Sequence, residues 1–302
     1  MSGSGERAAA TTGTRATSAV AEHVAFGFRI VGMESAALAG ATHPDWPRLR
    51  VRRSVGPAVR QATHLSGGHA HLELVEDGWL SVDRDEATAT YLSDRDIDPD
   101  RLVHPLLSPA AGLMARWMGR EAFHCGAFLA AGRAWGLTGA NEAGKSTILA
   151  AMALAGTPVL TDDLLVVDHA GMAYAGPRCI DLRELDVVGG DVATRVRTVR
   201  SGTRQRLGLP PVQAAAPLRG WFFLDWGDVV EAVPCSARER FRRLGAQRRW
   251  PVLPADPRAL LELASLPAWI LRRPRGPQHM PELLACLLRL AARHTDVRGD
   301  GG

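Results

Sequence analysis

The sequence of 302 residues predicts an α/β fold with a small β-rich N-terminal part and a helical C-terminal segment. Short apolar runs separated by turn residues fill the chain from residue 23 to about residue 100. A glycine-rich stretch, GANEAGKST, then stands between a predicted strand and a predicted helix, and three runs at helical spacing follow near the end. We therefore expect a disordered tail over 1–22, a β-rich domain over 23–100, a larger domain over 101–293 and a second tail over 294–302.

The β-rich part is predicted from four short apolar runs, which are VAFGFRIV, HLELV, WLSV and ATATYL. The pair Asp77-Gly78 between two of these runs is typical of a β-hairpin turn. The polar segment SDRDIDPDR contains few apolar residues and many turn residues. We place the boundary of the β-rich part at its end, near Arg101.

The larger domain is predicted to begin with a helix in HPLLSPAAGLMARWMGR. Two strands, AFHCGAFLAA and RAWGLTG, precede the glycine-rich stretch, and a helix in KSTILAAMALA follows it. The segment TPVLTDDLLVVD reads as a buried strand interrupted by two aspartates, and WFFLDWG with VVEAV reads as a hairpin around Gly227. The last helices are predicted in SARERFRRLGAQ, DPRALLELASL and PELLACLLRLAAR.

The bulk composition narrows the class of protein. Hydrophobic residues make up 46% of the chain and charged residues 23%, as in a globular protein. The net charge of +4 is too small to indicate nucleic-acid binding, and no apolar run approaches the roughly 20 residues of a membrane span. The four cysteines form no CxxC pair and the N-terminal stretch has no apolar core typical of a signal peptide. These features favour a cytoplasmic protein that binds neither membranes nor nucleic acid.

The stretch from Gly139 to Thr147 matches the phosphate-binding loop pattern GxxxxGK[ST]. Glycines allow successive backbone N–H groups to point at an anion, and the following helix adds its positive end. Lys145 is the only lysine of the chain, while the other basic residues are arginines. A compact ammonium fits among phosphate oxygens where a broad guanidinium does not, which explains this exception. We expect the nucleotide to contact the residues Gly139, Ala140, Asn141, Glu142, Ala143, Gly144, Lys145, Ser146 and Thr147.

Two carboxylates follow the predicted strand after the loop. Asp162 and Asp163 lie at the carboxyl end of this strand, where ligand sites of open α/β sheets gather. Strand alternation would direct their side chains to opposite faces, so one could bind Mg²⁺ and the other could accept a proton. His124 lies in the strand two before the loop and, considered alone, is more typical of a core histidine.

The run HCGAFL from His124, the loop, and the run LTDD ending at Asp163 together resemble the kinase core of HPr kinase/phosphorylase and its stand-alone relatives. The resemblance implies a P-loop kinase core of HPr kinase type that uses ATP and Mg²⁺. It implies that Asp162 is the general base supported by His124, and that Lys145 contacts the phosphates. Ser146 and Asp163 would bind the metal, and Glu184 is the nearest candidate for the metal-binding glutamate that the family has further along the chain.

The sequence departs from this family at two points. Glu142 stands in the loop where the family has glycine, and a carboxylate there repels a triphosphate unless it points away or meets an arginine. The family's downstream signature region is not found, which favours kinase activity without phosphorolysis. Some relatives phosphorylate a serine of a precursor peptide in lasso-peptide pathways.

The function that we expect is ATP-dependent transfer of the γ-phosphate to a hydroxyl, most simply a serine of a protein or precursor peptide. Two alternatives stay open, a small-molecule kinase with a closed pocket and a nucleotide-binding regulatory NTPase. The arginines between Arg195 and Arg206 could clamp phosphate or an acidic substrate, or could be a solvated surface. The C-terminal helices could pack on the core or on another subunit, so a homo-oligomer also stays open.

Overall fold

A computed structural model describes residues 22–40, 43–57, 62–74, 78–183, 196–200, 202–254 and 256–294. The two predicted tails lie outside the described residues except for Glu22, which begins a strand, and His294. Glu184, the candidate metal ligand, also lies outside them. The fold is mixed α/β with large sheets, which confirms the predicted class. The domain boundaries and the HPr-kinase type of the core stay predictions.

An eight-stranded sheet forms the N-terminal part, with strands in the order β3-β1-β2-β4-β8-β7-β6-β5. These strands are β1 (Glu22–Ala25), β2 (Phe28–Val31), β3 (Ala39–Gly40), β4 (Arg48–Val55), β5 (His64–Leu65), β6 (His69–Leu74), β7 (Gly78–Asp83) and β8 (Thr88–Ser93). Strands β6 and β7 pair antiparallel, as the predicted hairpin requires. Gly78 has a φ of +89°, and a Cβ there would lie 2.2 Å from the Leu92 carbonyl oxygen, so only glycine fits.

The rest of the chain contributes a second large sheet and a three-stranded one. Its strands are β9 (Glu121–Ala130), β10 (Arg133–Gly139), β11 (Val159–Thr161), β12 (Leu164–Val167), β13 (Met172–Tyr174), β14 (Cys179–Leu182), β15 (Val196–Val199), β16 (Arg204–Gly208), β17 (Ala215–Trp226), β18 (Glu231–Pro234) and β19 (Ala268–Arg273). Strand β10 lies between β9, which is antiparallel to it, and β17, which is parallel to it. Strand β19 then runs parallel to β17 on its far side.

The helices are α1 (Pro99–Arg101), α2 (Leu107–Trp117), α3 (Lys145–Leu154), α4 (Ala237–Gln247), α5 (Pro257–Ser265) and α6 (Met280–Arg293). Capping side chains explain where α4 and α5 begin. The Ser236 hydroxyl accepts a hydrogen bond from the Glu239 amide, and the Asp256 carboxylate accepts one from the Arg258 amide, so each caps a helix N-terminus. In the described part of the chain, no helix is both long and apolar enough to cross a bilayer.

Helix α2 packs between the two large sheets. It contacts β7 of the first sheet and β9 and β12 of the second. Its buried apolar side chains belong to one hydrophobic cluster that also contains Phe28 and Leu80 from the first sheet and Leu164 and Val166 from the second. The apolar core is therefore continuous across residue 100.

The predicted hairpin around Gly227 is wrong. Strand β18 pairs with β19 and not with β17, and β19 is inserted between the two. Strand β19, with the sequence AWILRR, was missed because a single short apolar run next to a helix carries little periodicity. Helices α4 and α5 make the crossover that allows β17 and β19 to run parallel.

Three arginines of the arginine-rich segment, Arg197, Arg200 and Arg206, form ion pairs within the protein, and Arg195 lies outside the described residues. The Arg206 guanidinium binds the Asp181 carboxylate at 2.6 Å and the Asp100 carboxylate at 2.9 Å, and Arg200 binds Asp181 at 2.8 Å. Arg197 is paired with Asp100. Arg206 is 2% exposed, so this residue is neither a solvated surface nor a free phosphate clamp.

Replacing Arg206 by methionine is expected to lower the free energy of unfolding by about 3 kcal/mol, because it leaves the buried Asp181 carboxylate with one arginine fewer. Chemical denaturation measures this change. Arg197→Met is the control, since that side chain is more than half exposed and its loss should have a much smaller effect. Equal stability of the two variants would contradict a structural role for Arg206.

Candidate functional site

The glycine-rich loop joins the end of β10 to the start of α3. Gly144 has a φ of +76°, which L-residues rarely adopt. A Cβ on Gly139 would lie 3.1 Å from both the Ala143 and the Leu224 Cβ atoms, so a side chain at the first glycine would have to displace its neighbours by a few tenths of an ångström. The two glycines of the motif therefore have separate structural reasons, one conformational and one steric.

The N-terminus of α3 has no side-chain cap. Gly144 occupies the cap position, and the first backbone N–H groups of a helix have no partner within the helix. Such a terminus attracts anions through these N–H groups and through the helix dipole. This arrangement, directly after a strand and a tight loop, is what the phosphate-binding interpretation requires.

Lys145 lies inside the loop and is 7% exposed. Its Nζ donates hydrogen bonds to the Gly139 and Ala140 carbonyl oxygens, both at 3.1 Å. Burial lowers the pKa of Lys145, and the nearby Cys125 and Asp162 partly oppose this shift. The ammonium is thus held by two carbonyls at the point where the loop curves, without an acidic hydrogen-bond partner among the described residues.

The Ser146 hydroxyl donates a hydrogen bond of 3.0 Å to an oxygen of Asp162. Asp162 is 4% exposed. Burial raises the pKa of Asp162, and the Asp163 carboxylate raises it further, while a charge on His104 and the bond from Ser146 oppose the rise. A buried carboxylate with a raised pKa beside the uncapped N-terminus of a helix is a candidate proton acceptor.

Asp163 contacts a different pair of residues. Its Oδ1 lies 3.2 Å from His124 Nδ1 and 3.5 Å from a terminal nitrogen of Arg249. The same Arg249 nitrogen lies 3.2 Å from His124 Nδ1, so the three groups form a triangle. The structure thus brings His124 to Asp163 and Ser146 to Asp162.

The two carboxylates diverge because of a bend in the chain. They lie between β11 and β12, outside both strands, and Asp163 has a φ of +67°. Strand alternation, which the sequence suggested, is therefore not the cause. The left-handed region accepts aspartate and asparagine more readily than most residues, which suits the residue found here.

The charge of Asp163 is stabilised by its surroundings. Burial alone would raise the pKa of Asp163, but the hydrogen bond from His124 and the charges of His104 and Arg249 outweigh it, so the pKa lies well below the ordinary value. His104 and Arg249 were not found by sequence reasoning. His104 lies 20 residues before His124 and Arg249 lies 86 residues after Asp163, so no local pattern marks them.

Glu142 is paired within the loop region. Its carboxylate accepts a hydrogen bond of 2.6 Å from Arg183, and both side chains are exposed. From the sequence, a carboxylate at this loop position is expected to repel a bound triphosphate unless it points away or pairs with an arginine. The Arg183 contact meets that condition.

If the loop binds ATP, as the sequence predicts, removing Arg183 is expected to weaken ATP affinity about two- to five-fold, because the unpaired Glu142 charge would then repel the triphosphate across a short distance. Isothermal titration of Arg183→Ala measures this change. Adding Glu142→Gln to that variant should restore the affinity. An Arg183→Ala defect that persists in the double variant would contradict the pairing explanation.

The oxygen donors around the loop fit Mg²⁺. This cation prefers one or two carboxylates with substrate phosphates and waters, and Ser146, Asp162 and Asp163 supply a hydroxyl and two carboxylates. Among the described residues, no group of three or more histidines, cysteines and acidic residues could hold a metal alone. Glu184 lies outside that part of the chain.

A cavity of about 440 Å³ lies away from the loop. It is lined by residues that include Trp46, Gly176 and Arg178, and by none of the loop residues. The Arg178 guanidinium donates to the carbonyl oxygens of Val159, Leu160 and Pro210, so it holds the backbone of β11. We attribute no part of the phosphate chemistry to this cavity.

Comparisons with known proteins found a distant structural similarity but no matching family model or curated protein. No protein-family model matches the chain, and no curated protein matches it. Among solved structures, the chain is similar to the Hpr(Ser) kinase/phosphatase from Coxiella burnetii, with 12% sequence identity and a TM-score of 0.30 over 57% of this chain and 95% of that chain. This similarity is too distant to assign residue roles.

Proposed function

We propose that the protein is an ATP-dependent kinase that transfers the γ-phosphate to a hydroxyl, most simply a serine of a protein or peptide. The observation that carries the proposal is the 3.0 Å contact between the Ser146 hydroxyl and the Asp162 carboxylate. It places a buried acidic group beside the helix terminus and next to the loop that holds Lys145. A phosphate-binding loop and a nearby proton acceptor are the two parts that phosphoryl transfer needs.

In this proposal the triphosphate lies on the loop from Gly139 to Thr147. Lys145 and the first N–H groups of α3 neutralise its charge, and positioning supplies most of the rate enhancement. Asp162 accepts the proton of the attacking hydroxyl, which its raised pKa favours. Asp163, with its lowered pKa, stays ionised and binds Mg²⁺ together with Ser146.

The contacts also support a second assignment of the two carboxylates. Ser146 contacts Asp162, so Asp162 could hold the metal, while His124 contacts Asp163 and could orient it as the base. The two assignments differ in which carboxylate governs Mg²⁺ binding. Mg²⁺ titration of the ATP complex with each aspartate replaced by asparagine separates them.

The acceptor class rests on the resemblance of the motifs to serine-modifying kinases. The experiment is incubation of the protein with Mg²⁺, γ-labelled ATP and a protein and peptide extract, followed by mapping of labelled residues. We expect phosphoserine that disappears with Asp162→Asn. Slow release of inorganic phosphate without any labelled acceptor would instead indicate a regulatory NTPase, and a labelled metabolite would indicate a small-molecule kinase.

A further inference from the structure

The strands beside β10 place two different groups on the two flanks of the loop. On one flank, β9 pairs with β11 and β12, which lead to Asp162 and Asp163. On the other flank, the parallel strands β17 and β19 end at Trp226 and Arg273, which are register partners. Gly139 at the end of β10 is in register with Leu224, so Trp226 lies just beyond the level at which the loop begins.

Trp226 is stacked with two arginines. The Arg273 guanidinium carbon lies 4.0 Å from its ring centroid and that of Arg275 lies 4.2 Å from it. Trp226 is nevertheless 41% exposed, and Arg275 is exposed as well. A large aromatic ring and a planar cation therefore stand in solvent at the carboxyl ends of parallel strands, where ligands of α/β sheets bind.

Arg273 connects this stack to the loop. Its guanidinium donates a hydrogen bond to the Ala143 carbonyl oxygen, and a Cβ on Gly144 would lie 2.8 Å from it. Among the described residues Arg273 has no acidic partner, and its Nε has no hydrogen-bond partner although it is buried. Burial, followed by the charge of Arg275, lowers the pKa of Arg273 to about 10.

Two arginines without a paired carboxylate next to a phosphate-binding loop make this flank attractive to an anion. Neither arginine carries an ion pair among the described residues, whereas the arginines near Asp100, Asp181 and Glu121 are all paired. The exposed part of the Trp226 ring, together with the planar Arg275 guanidinium stacked on it, adds a flat surface. A molecule with both a flat ring and phosphates would complement the two features.

We propose that Trp226 and Arg275 form the nucleobase-binding surface of this site, on which a purine stacks while its phosphates lie on the loop. The inference rests on the proposed nucleotide binding. A base at this flank and the carboxylates at the opposite flank would stretch the nucleotide across the end of β10, with the γ-phosphate toward Asp162. Arg273, which is buried, keeps the loop in place through Ala143 and does not itself contact the base.

The experiment compares ATP with inorganic tripolyphosphate, which has the phosphates without the base. Affinities of Mg²⁺-ATP and Mg²⁺-tripolyphosphate are measured by isothermal titration for the full chain and for Trp226→Ala and Arg275→Ala. We expect each variant to weaken ATP binding about tenfold, the effect of losing one aromatic or cationic stacking partner. Tripolyphosphate affinity should stay within about twofold after Trp226→Ala.

Two controls accompany these variants. Phe241→Ala removes an exposed aromatic ring on α4 and should change neither affinity. Trp226→Phe keeps an aromatic face and should recover most of the ATP affinity. Far-ultraviolet circular dichroism checks that each variant is folded.

Four outcomes would overturn the inference. Unchanged ATP affinity in both variants would show that the base lies elsewhere. Equal loss of ATP and tripolyphosphate affinity in both would show that this flank binds phosphate and no base. Binding of neither ligand by the unmodified protein would refute the proposed function itself, whereas tripolyphosphate binding as tight as ATP binding would refute the base surface alone.

Discussion

Replacing Lys145 by arginine is expected to lower ATP affinity and phosphate transfer by about 100-fold, although the charge is kept. The ammonium of Lys145 is buried and fits between the Gly139 and Ala140 carbonyl oxygens, each at 3.1 Å. A guanidinium is wider and planar, so it cannot take this position without displacing the loop backbone. Loss of one charged hydrogen-bonding group in a buried site corresponds to about 3 kcal/mol, which is roughly this factor.

The measurement is ATP titration in the presence of Mg²⁺, together with the transfer assay. Arg133→Lys is a matched control, because it makes the reverse change at the exposed, opposite end of the same strand. That variant should bind ATP as the unmodified protein does. If Lys145→Arg keeps full affinity, the loop does not bind phosphate through a compact cation, and the proposed role of Lys145 is wrong.

Asp162→Asn and Asp163→Asn are expected to change stability in opposite directions. Because burial raises the pKa of Asp162, holding this carboxylate ionised opposes folding once the pH exceeds the unfolded value of 3.8. The neutral asparagine removes that opposition and can still accept the Ser146 hydrogen bond. We expect Asp162→Asn to stabilise the ligand-free protein at pH 7 by about 1 kcal/mol, a gain that disappears below about pH 4.

The neighbouring change removes a favourable charge. The lowered pKa of Asp163 means that its carboxylate contributes stability above the unfolded value of 3.8, which is lost as the pH falls through the lower folded value. Asp163→Asn should therefore destabilise the protein at pH 7 by about 2 kcal/mol, with less difference in acid. Asparagine tolerates the positive φ of this position, so backbone strain is matched between the two forms.

Thermal unfolding at pH 7 and pH 4 measures both effects, and transfer assays accompany it. In the favoured assignment Asp162→Asn keeps ATP binding and loses at least about 100-fold in transfer, which is the usual contribution of a general base. Asp163→Asn weakens the Mg²⁺ dependence of ATP binding. Stability changes of the same sign in the two variants would contradict the electrostatic description of this site.

The sequence predicted the part of the site that is local along the chain. The glycine spacing, the strand before it and the helix after it are all within about 25 residues, and their geometry follows from backbone requirements of the loop. The C-terminal helices were also predicted, because leucine periodicity and caps such as Ser236 are local signals.

The rest of the site depends on contacts that are distant in sequence. Arg249 reaches Asp163 across 86 residues, and Arg273 reaches Ala143 across 130 residues. The order of β17, β19 and β18 is likewise a consequence of packing, and it overrode the simpler hairpin. A basic residue in an arginine-rich chain gives no sign of whether it faces an aspartate, a carbonyl or solvent.

Because helix α2 buries side chains against both large sheets, truncation of the first sheet is expected to destabilise the rest of the protein. A fragment that begins near residue 101 would lose the covering of Leu107, Leu113 and Met114 and present these residues to water. Such a fragment would tend to aggregate, and its failure to bind a ligand would reveal nothing about the loop. Expression plasmids for the binding experiments should therefore retain the segment from residue 22 onward.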